Sequence, residues 1–192
     1  MDTRKLAYED ESFQNIQLQA QDLSGRDFSG CTFKKCDFSW SDFMWSIFSD
    51  CRFEDCNLSN IKVSSCSLQD VSFRNCKLTW VIFSKINTLL ISWDFNNCKI
   101  ELCSFAWLDI KWSRFAWSVI RETDFSDCNL TGSDFTECNL QSSKFQNTNL
   151  TECDFTEAFD YYIDPTQNQI QKARFSGNQV LNLLACFEIE VV

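Results

Sequence analysis

A period of five residues constrains this 192-residue chain more than any other feature. From Phe13 a large apolar residue recurs at every fifth position, through Leu18, Leu23, Phe28 and Phe33 to Phe83. The series resumes in shifted phase at Leu90 and runs unbroken to Phe155. A helix repeats its buried face about every 3.6 residues and a strand about every 2, so neither produces this pattern. Self-similarity at a fixed short period is the mark of a solenoid, in which each turn packs only on its neighbours.

Sorting the repeat centres by every twentieth residue tests that idea. One column reads Phe13, Phe33, Phe53 and Phe73 and, after a single 22-residue step, Phe95, Phe115, Phe135 and Phe155. A second reads Phe28, Phe48, Leu68, Leu90, Ile110, Leu130 and Leu150. Coils one inter-strand spacing apart, about 4.8 Å, would stack the Phe rings as offset ladders. The two extra residues fall within 84–92 and are expected to bulge from one corner.

The flanking positions follow rules as well. Asp or Asn often precedes the centre (Asp37, Asn57, Asp94, Asn129), and Ser or Thr often follows it (Ser39, Thr79, Ser126, Thr131). Two residues before the centre the side chain is small, and eleven of the twelve cysteines sit there. Cys36, Cys56, Cys76 and Cys98 form one vertical ladder. Zinc needs ligands converging on one point at about 2.3 Å, and a ladder climbing about 4.8 Å per step does not converge. The cysteines are therefore expected as small buried hydrophobes, with no metal site and no cofactor. Free thiols in number, a polar start from Met1 to Glu11 and no long apolar run indicate a reducing compartment, the cytoplasm, with no transmembrane segment.

Catalysis finds no foothold. There is no His, the commonest general base, and only 4 Gly to build a phosphate loop. The net charge of -10 disfavours direct nucleic acid binding. That charge is local. From Glu122 to Asp164 there are ten acids and one base, whereas residues 1–121 carry fifteen acids and fourteen bases. Asp134, Glu137, Asp154 and Glu157 fall on one face in adjacent coils, with Asp124 and Asp127 on another. At Asp124, Asp134 and Asp154 the repeat itself favours Asp; at Asp127, Glu137 and Glu157 it is indifferent. Such a patch attracts a basic partner surface by electrostatic steering. A second outward feature is apolar: Leu102, Trp107, Trp112 and Trp117 occupy four successive outward positions, a belt around one coil. It reads either as an interaction surface or as rings lying flat over neighbouring coils.

The period fails at Asp160, where Tyr161-Tyr162-Ile163-Asp164-Pro165 reads as a turn. Phe175 returns one coil after Phe155. Val180, Leu181, Leu184 and Phe187 then mark a short amphipathic helix that can cover the open end and pair with itself across a two-fold axis. Glu188 to Val192 alternates like a strand.

A unit of small residue, Asp/Asn, Leu/Phe, Ser/Thr and a variable residue, as in Cys128-Asn129-Leu130-Thr131-Gly132 and Cys153-Asp154-Phe155-Thr156-Glu157, resembles the pentapeptide-repeat family. The resemblance implies an all-β fold, a right-handed quadrilateral β-helix with four pentapeptides per coil and a short C-terminal helix cap. The chain then divides into an N-terminal cap (1–12), the β-helix (13–158) and a C-terminal cap and dimerisation segment (159–192). The Tyr-x-Ile-x-Pro turn, Ala173-Arg174-Phe175-Ser176 and the Leu-rich end are similar to the Qnr and MfpA type, in its loopless form. That similarity implies an acidic homodimeric rod that mimics DNA, binds DNA gyrase or topoisomerase IV and protects it from quinolones or toxins. The alternative is a structural solenoid that uses the Trp-rich coil to bind another protein. Neither reading is an enzyme.

Overall fold

The computed structural model describes residue 1, residues 4–89, residues 91–187 and residue 189. Within it the chain winds as a parallel β-solenoid with four faces, here named by their first centres: Phe13, Leu18, Leu23 and Phe28. On the Phe28 face, Ala7–Glu9, Asp27–Ser29, Ile47–Ser49 and Ser67–Gln69 pair in parallel at 20-residue register. On the Phe13 face five strands from Ser12–Gln14 to Trp93–Asn96 pair in parallel, the last pair at 22 residues, and Asp154–Phe155 pairs with Arg174–Phe175. Lys77–Thr79, Lys99–Glu101 and Val119–Arg121 form a three-stranded sheet on the Leu18 face. The Leu23 face is joined by single bridges such as Asp22↔Asp42 and Ser104↔Asp124.

Every described centre from Phe13 to Phe155 is buried. Tyr8 opens the Phe28 column one position ahead of Phe13, its ring stacked on Phe28 at 4.9 Å. Rings within a column stack nearly parallel, as in Phe95–Phe115 at 5.2 Å and 8°. Rings on different columns meet edge to face, as in Phe115–Phe125 at 5.7 Å and 83°. This herringbone satisfies the ring quadrupoles in both directions. The aromatic partner of the Phe13 column changes sides along the axis. It is Tyr8, Phe28 and Phe48 in the first coils, and Phe83, Phe105, Phe125 and Phe145 in the later ones.

The changeover coincides with the register break. Ser67 bridges Asn87 at a 20-residue step, whereas Val71 pairs with Trp93 and Lys77 with Lys99 at 22. The additional residues thus lie between Asn87 and Trp93, after a 3₁₀ turn at Phe83–Lys85; Leu90 lies outside the described residues. Trp93 takes an inward position otherwise held by small side chains, packs on Phe83, Phe95 and Phe105, and donates its indole N–H to the Leu68 carbonyl at 3.1 Å. A buried indole needs that acceptor.

The repeat rules have local causes. The Asp or Asn before a centre accepts the backbone N–H two residues on: Asp37 from Ser39 at 2.9 Å, Asp134 from Thr136 at 2.9 Å, Asn149 from Thr151 at 3.0 Å. These Asx turns bend the chain at each corner, and the following Ser or Thr adds its hydroxyl, as Thr131 does to Asn129 at 2.7 Å. Except at Lys85, which lies in the 3₁₀ turn, the residue two after each described centre sits at the corner with left-handed φ, from Asp10 (52°) to Glu157 (56°). The position two before the centre points inward and donates. Cys128, Cys138 and Cys153 reach the carbonyls of Phe105, Phe115 and Leu130 at 2.9 Å each. Ser143 and Thr148 do the same to Ile120 and Phe125. The thiols are thus hydrogen-bond donors to the coil below as well as space fillers, which explains why Cys, Ser and Thr interchange there.

At the C-terminal end Phe175 stacks on Phe155 at 5.1 Å. Val180–Phe187 then forms a 3₁₀ helix, its entry tethered by the Tyr161 hydroxyl donating to the Gln179 carbonyl at 2.9 Å. A 3₁₀ helix aligns every third residue. Leu181, Leu184 and Phe187 consequently share one stripe, while Val180 lines up with Leu183, which faces the core. The stretch 188–192 lies outside the described residues apart from exposed Ile189.

Candidate functional site

With the interior filled, any site lies on outward positions. A surface depression of about 530 Å³ is an open groove on the Phe13 face lined by Arg52, Glu54, Ser72, Arg74, Asp94 and Arg114. Arg114 is ion-paired with Asp94 across it, and it gathers no nucleophile–base pair. Among the described residues no cluster of three His, Cys, Asp or Glu is placed to hold a metal ion. Burial pushes the thiols of Cys103, Cys138 and Cys153 up to about 12, which leaves them protonated and poorly nucleophilic near neutral pH.

The acidic residues separate into two classes. Asp124, Asp134 and Asp154 are half-buried, and each spends one carboxylate oxygen on an Asx turn, at 2.9 Å to the N–H of Ser126, Thr136 and Thr156. The corner residues Glu122, Glu137, Glu152 and Glu157 are exposed, with Asp127 half-exposed. Glu137 and Glu157 stand on the same corner one coil apart, since Glu137 N–H donates to the Thr156 carbonyl directly before Glu157. The final coil moderates the patch. Arg174 pairs with Asp154 at 2.8 Å and Lys172 with Glu152 at 3.0 Å, and Ser176 donates its hydroxyl to Glu157 at 2.8 Å. A tally by sequence segment places those two cations beyond the acidic stretch, whereas the fold stacks them on it. Glu122, Asp127 and Glu137 remain without an ion pair among the described residues.

Six of the seven tryptophans are corner residues in left-handed conformation, Trp40, Trp45, Trp80, Trp107, Trp112 and Trp117, as is Leu102. Trp107, Trp112 and Trp117 project from three different corners of one coil, and Leu102 on the fourth is half-buried. The belt is therefore not one surface. The Trp112 ring rests on the coil above, where a Cβ built on Gly132 would meet it at 2.1 Å. The other grouping is vertical: Trp80 stacks directly beneath Leu102, and Trp40 lies two coils below it on the same corner. The residues Val180, Leu181 and Phe187 of the terminal helix are exposed and Leu184 is half-buried.

Known proteins locate this architecture. The family profile of the pentapeptide repeat region matches residues 26–101, and that of pentapeptide repeats, in eight copies, matches residues 118–156. No curated protein sequence is significantly similar to the chain. Among solved structures, a trypsin-treated form of QnrB1, a plasmid-mediated fluoroquinolone resistance protein, superimposes with a TM-score of 0.83 at 20% identity, over 97% of this chain and 99% of that one. A second trypsin-treated form gives 0.82 at 20% identity over 97% and 98%. Full-length QnrB1 gives 0.59 at 17% identity over 93% and 100%. At these identities the likeness is one of fold. No described helix is long and apolar enough to cross a membrane. Repeat unit, coil register and family profiles agree, and the chain belongs to the pentapeptide-repeat family.

Proposed function

We propose that this protein is a non-enzymatic binding solenoid. It dimerises end to end through the Leu181–Leu184–Phe187 stripe and presents its last coils to the DNA-binding surface of a type II topoisomerase, DNA gyrase or topoisomerase IV, in the cytoplasm. The observation that carries this reading is the exposed corner carboxylates of the later coils, Glu137 and Glu157 one above the other on one corner and Glu122 and Glu152 on two others. Duplex DNA offers one phosphate per strand about every 3.4 Å, and the corner of Glu137 and Glu157 offers two carboxylates one coil apart, about 4.8 Å. A basic channel shaped for phosphates meets a comparable charge spacing on a rigid rod. The description of QnrB1 as a fluoroquinolone resistance protein supports protection from quinolones as the outcome.

The test is a gyrase supercoiling assay with and without a quinolone, using wild type and the variant Glu122→Gln, Asp127→Asn, Glu137→Gln, Glu157→Gln. Wild type is expected to inhibit supercoiling or relieve the drug, an effect that fades with added salt, and the variant to lose it while keeping its fold. A wild-type protein that does neither, at any salt, ends the proposal.

A further inference from the structure

The Leu23 face carries large apolar groups in three of four successive coils, the coil of Asn60, Lys62, Ser64 and Ser65 between them being polar. Its two corners and the strip between them carry Trp40 and Trp45 in one coil, Trp80 and Ile82 two coils above, and Leu102 and Trp107 in the next, the register being set by Trp40 N–H to Ser59, Asn60 N–H to Thr79 and Trp80 N–H to Glu101 carbonyls. Trp40 is 64% exposed, Trp45 66%, Trp80 58% and Trp107 75%. All four hold left-handed φ between 61° and 69°, a conformation that disfavours bulky side chains and suits Asn, Asp or Gly. Elsewhere on these corners the chain uses Asn60, Gly25 and Asp127. Local geometry therefore does not call for Trp here.

From this surface we infer that the Leu23 face is an interface between two copies of the chain, packed side by side and antiparallel. Area is the first argument. At these exposures, and about 250 Å² for a whole indole side chain, the four rings alone present roughly 650 Å². The rings are spread over two corners and interrupted by the coil of Asn60 and Lys62, so the sum is measured against an interface and not against one contiguous patch. With Ile82, Leu102 and Met44 it approaches the about 800 Å² per partner of a stable interface.

Shape is the second. A two-fold axis lying in the face between the coils of Lys62 and Ile82 places Trp45 opposite Trp107 of the second copy and Trp40 opposite Leu102. The same axis sets Met44 against Ala106, Trp80 against Asn60, and Ile82 against the aliphatic stem of Lys62, whose ammonium is drawn aside to Asp42 at 3.6 Å. Apolar groups meet apolar ones at Trp45–Trp107, Trp40–Leu102 and Met44–Ala106, and each pair occurs twice, as an isologous contact requires. One coil further out, the acidic corners Glu122 and Asp127 fall opposite Ala20 and Gly25, which carry no charge. Asp22 and Asp124 are the one like-charged pair across the face, so this association strengthens with salt.

The inference goes beyond the proposed function and is tested apart from it. In a Leu181→Asp, Phe187→Asp background, which removes the end-to-end contact, light scattering is expected to report particles of two chains. Adding Trp45→Asn and Trp107→Asn should reduce them to one chain with an unchanged circular dichroism spectrum, Asn being suited to those corners. A single chain before the Trp changes, or two after them, overturns the interface. The orientation has its own readout, in a Cys186→Ser background. Chains carrying Ala20→Cys mixed with chains carrying Glu122→Cys should be joined by a short bismaleimide, and neither variant alone should be. Equal cross-linking in the unmixed samples, or none in the mixture, overturns antiparallel packing.

Discussion

Raising the pH should unfold this protein cooperatively near pH 10, and the buried thiols are the reason. Burial pushes Cys51, Cys66, Cys103, Cys128, Cys138 and Cys153 up to about 12 each, from an ordinary thiol value of 9.0. A folded-state pKa above the unfolded one means that the protonated form belongs to the fold. The stability it confers is complete below about pH 9 and is lost as the pH climbs toward 12. Each thiol contributes about 1.4 kcal/mol per pH unit in that window, so six together give a slope of about 8 kcal/mol per unit. One unit into the window the loss matches the whole stability of an ordinary domain, about 5–15 kcal/mol. Far-ultraviolet circular dichroism and thiolate absorbance, followed together from neutral to alkaline pH, should change in one step. Cys138→Ser supplies the control. Its column already holds buried Ser118 one coil below, a hydroxyl keeps the donor to the Phe115 carbonyl, and it does not titrate. The midpoint should rise by about 0.2 pH unit, one thiol's share of the slope. If thiolate absorbance appears while the β-solenoid signal persists to about pH 11, the thiols ionise inside the fold and the reasoning fails.

Three further outcomes rest on the same core and corners. A thiol reagent at neutral pH should titrate one cysteine in the native protein, Cys186, which alone is not fully buried, and all twelve after denaturation. Phe115→Ala removes a fully buried ring stacked on Phe95 and Phe135 at 5.2 and 4.8 Å; it should cost about 3–5 kcal/mol, measured by chemical denaturation. Gly132→Ala places a methyl 2.1 Å from the Trp112 ring at φ 69°, so thermal melting should report a loss of about 1–2 kcal/mol for the left-handed Ala and tryptophan fluorescence should show the ring displaced to solvent.

What could be read in the sequence and what could not divides along a physical line. The Phe13 column was legible because its period is an integer and every centre is buried, so composition and position agree. The coil register followed from it. The donor role of the cysteines was not legible, because Cys reads as a small hydrophobe until the carbonyls of Phe105 and Phe115 are seen beneath it. Trp93 escaped notice because it occupies a position otherwise reserved for small groups, and only the change of ring column at the register break makes room for it. The terminal helix was anticipated with an α-helical stripe of Val180, Leu181, Leu184 and Phe187. Its 3₁₀ pitch sends Leu183 inward and leaves Leu181, Leu184 and Phe187 aligned.

The surface features were hardest to read for a reason built into the fold. Neighbours along the chain stand on different corners, and neighbours in space are twenty residues apart. Trp107, Trp112 and Trp117 ring one coil and so stand on three corners, whereas the 20- and 22-residue steps that the sequence shows bring Trp40, Trp80 and Leu102 to one edge. The same geometry set Lys172 and Arg174 on Glu152 and Asp154. In a solenoid each coil touches only its neighbours, and its core is satisfied by two positions in five. The remaining three are free of packing constraint, so chemistry is assigned by face and by height. Here the large apolar corners gather on the Leu23 face, and the excess of acidic over basic residues lies in the later coils. A partner that recognises either must read along the rod axis, across coils, and a single-coil peptide excised from the chain carries neither surface.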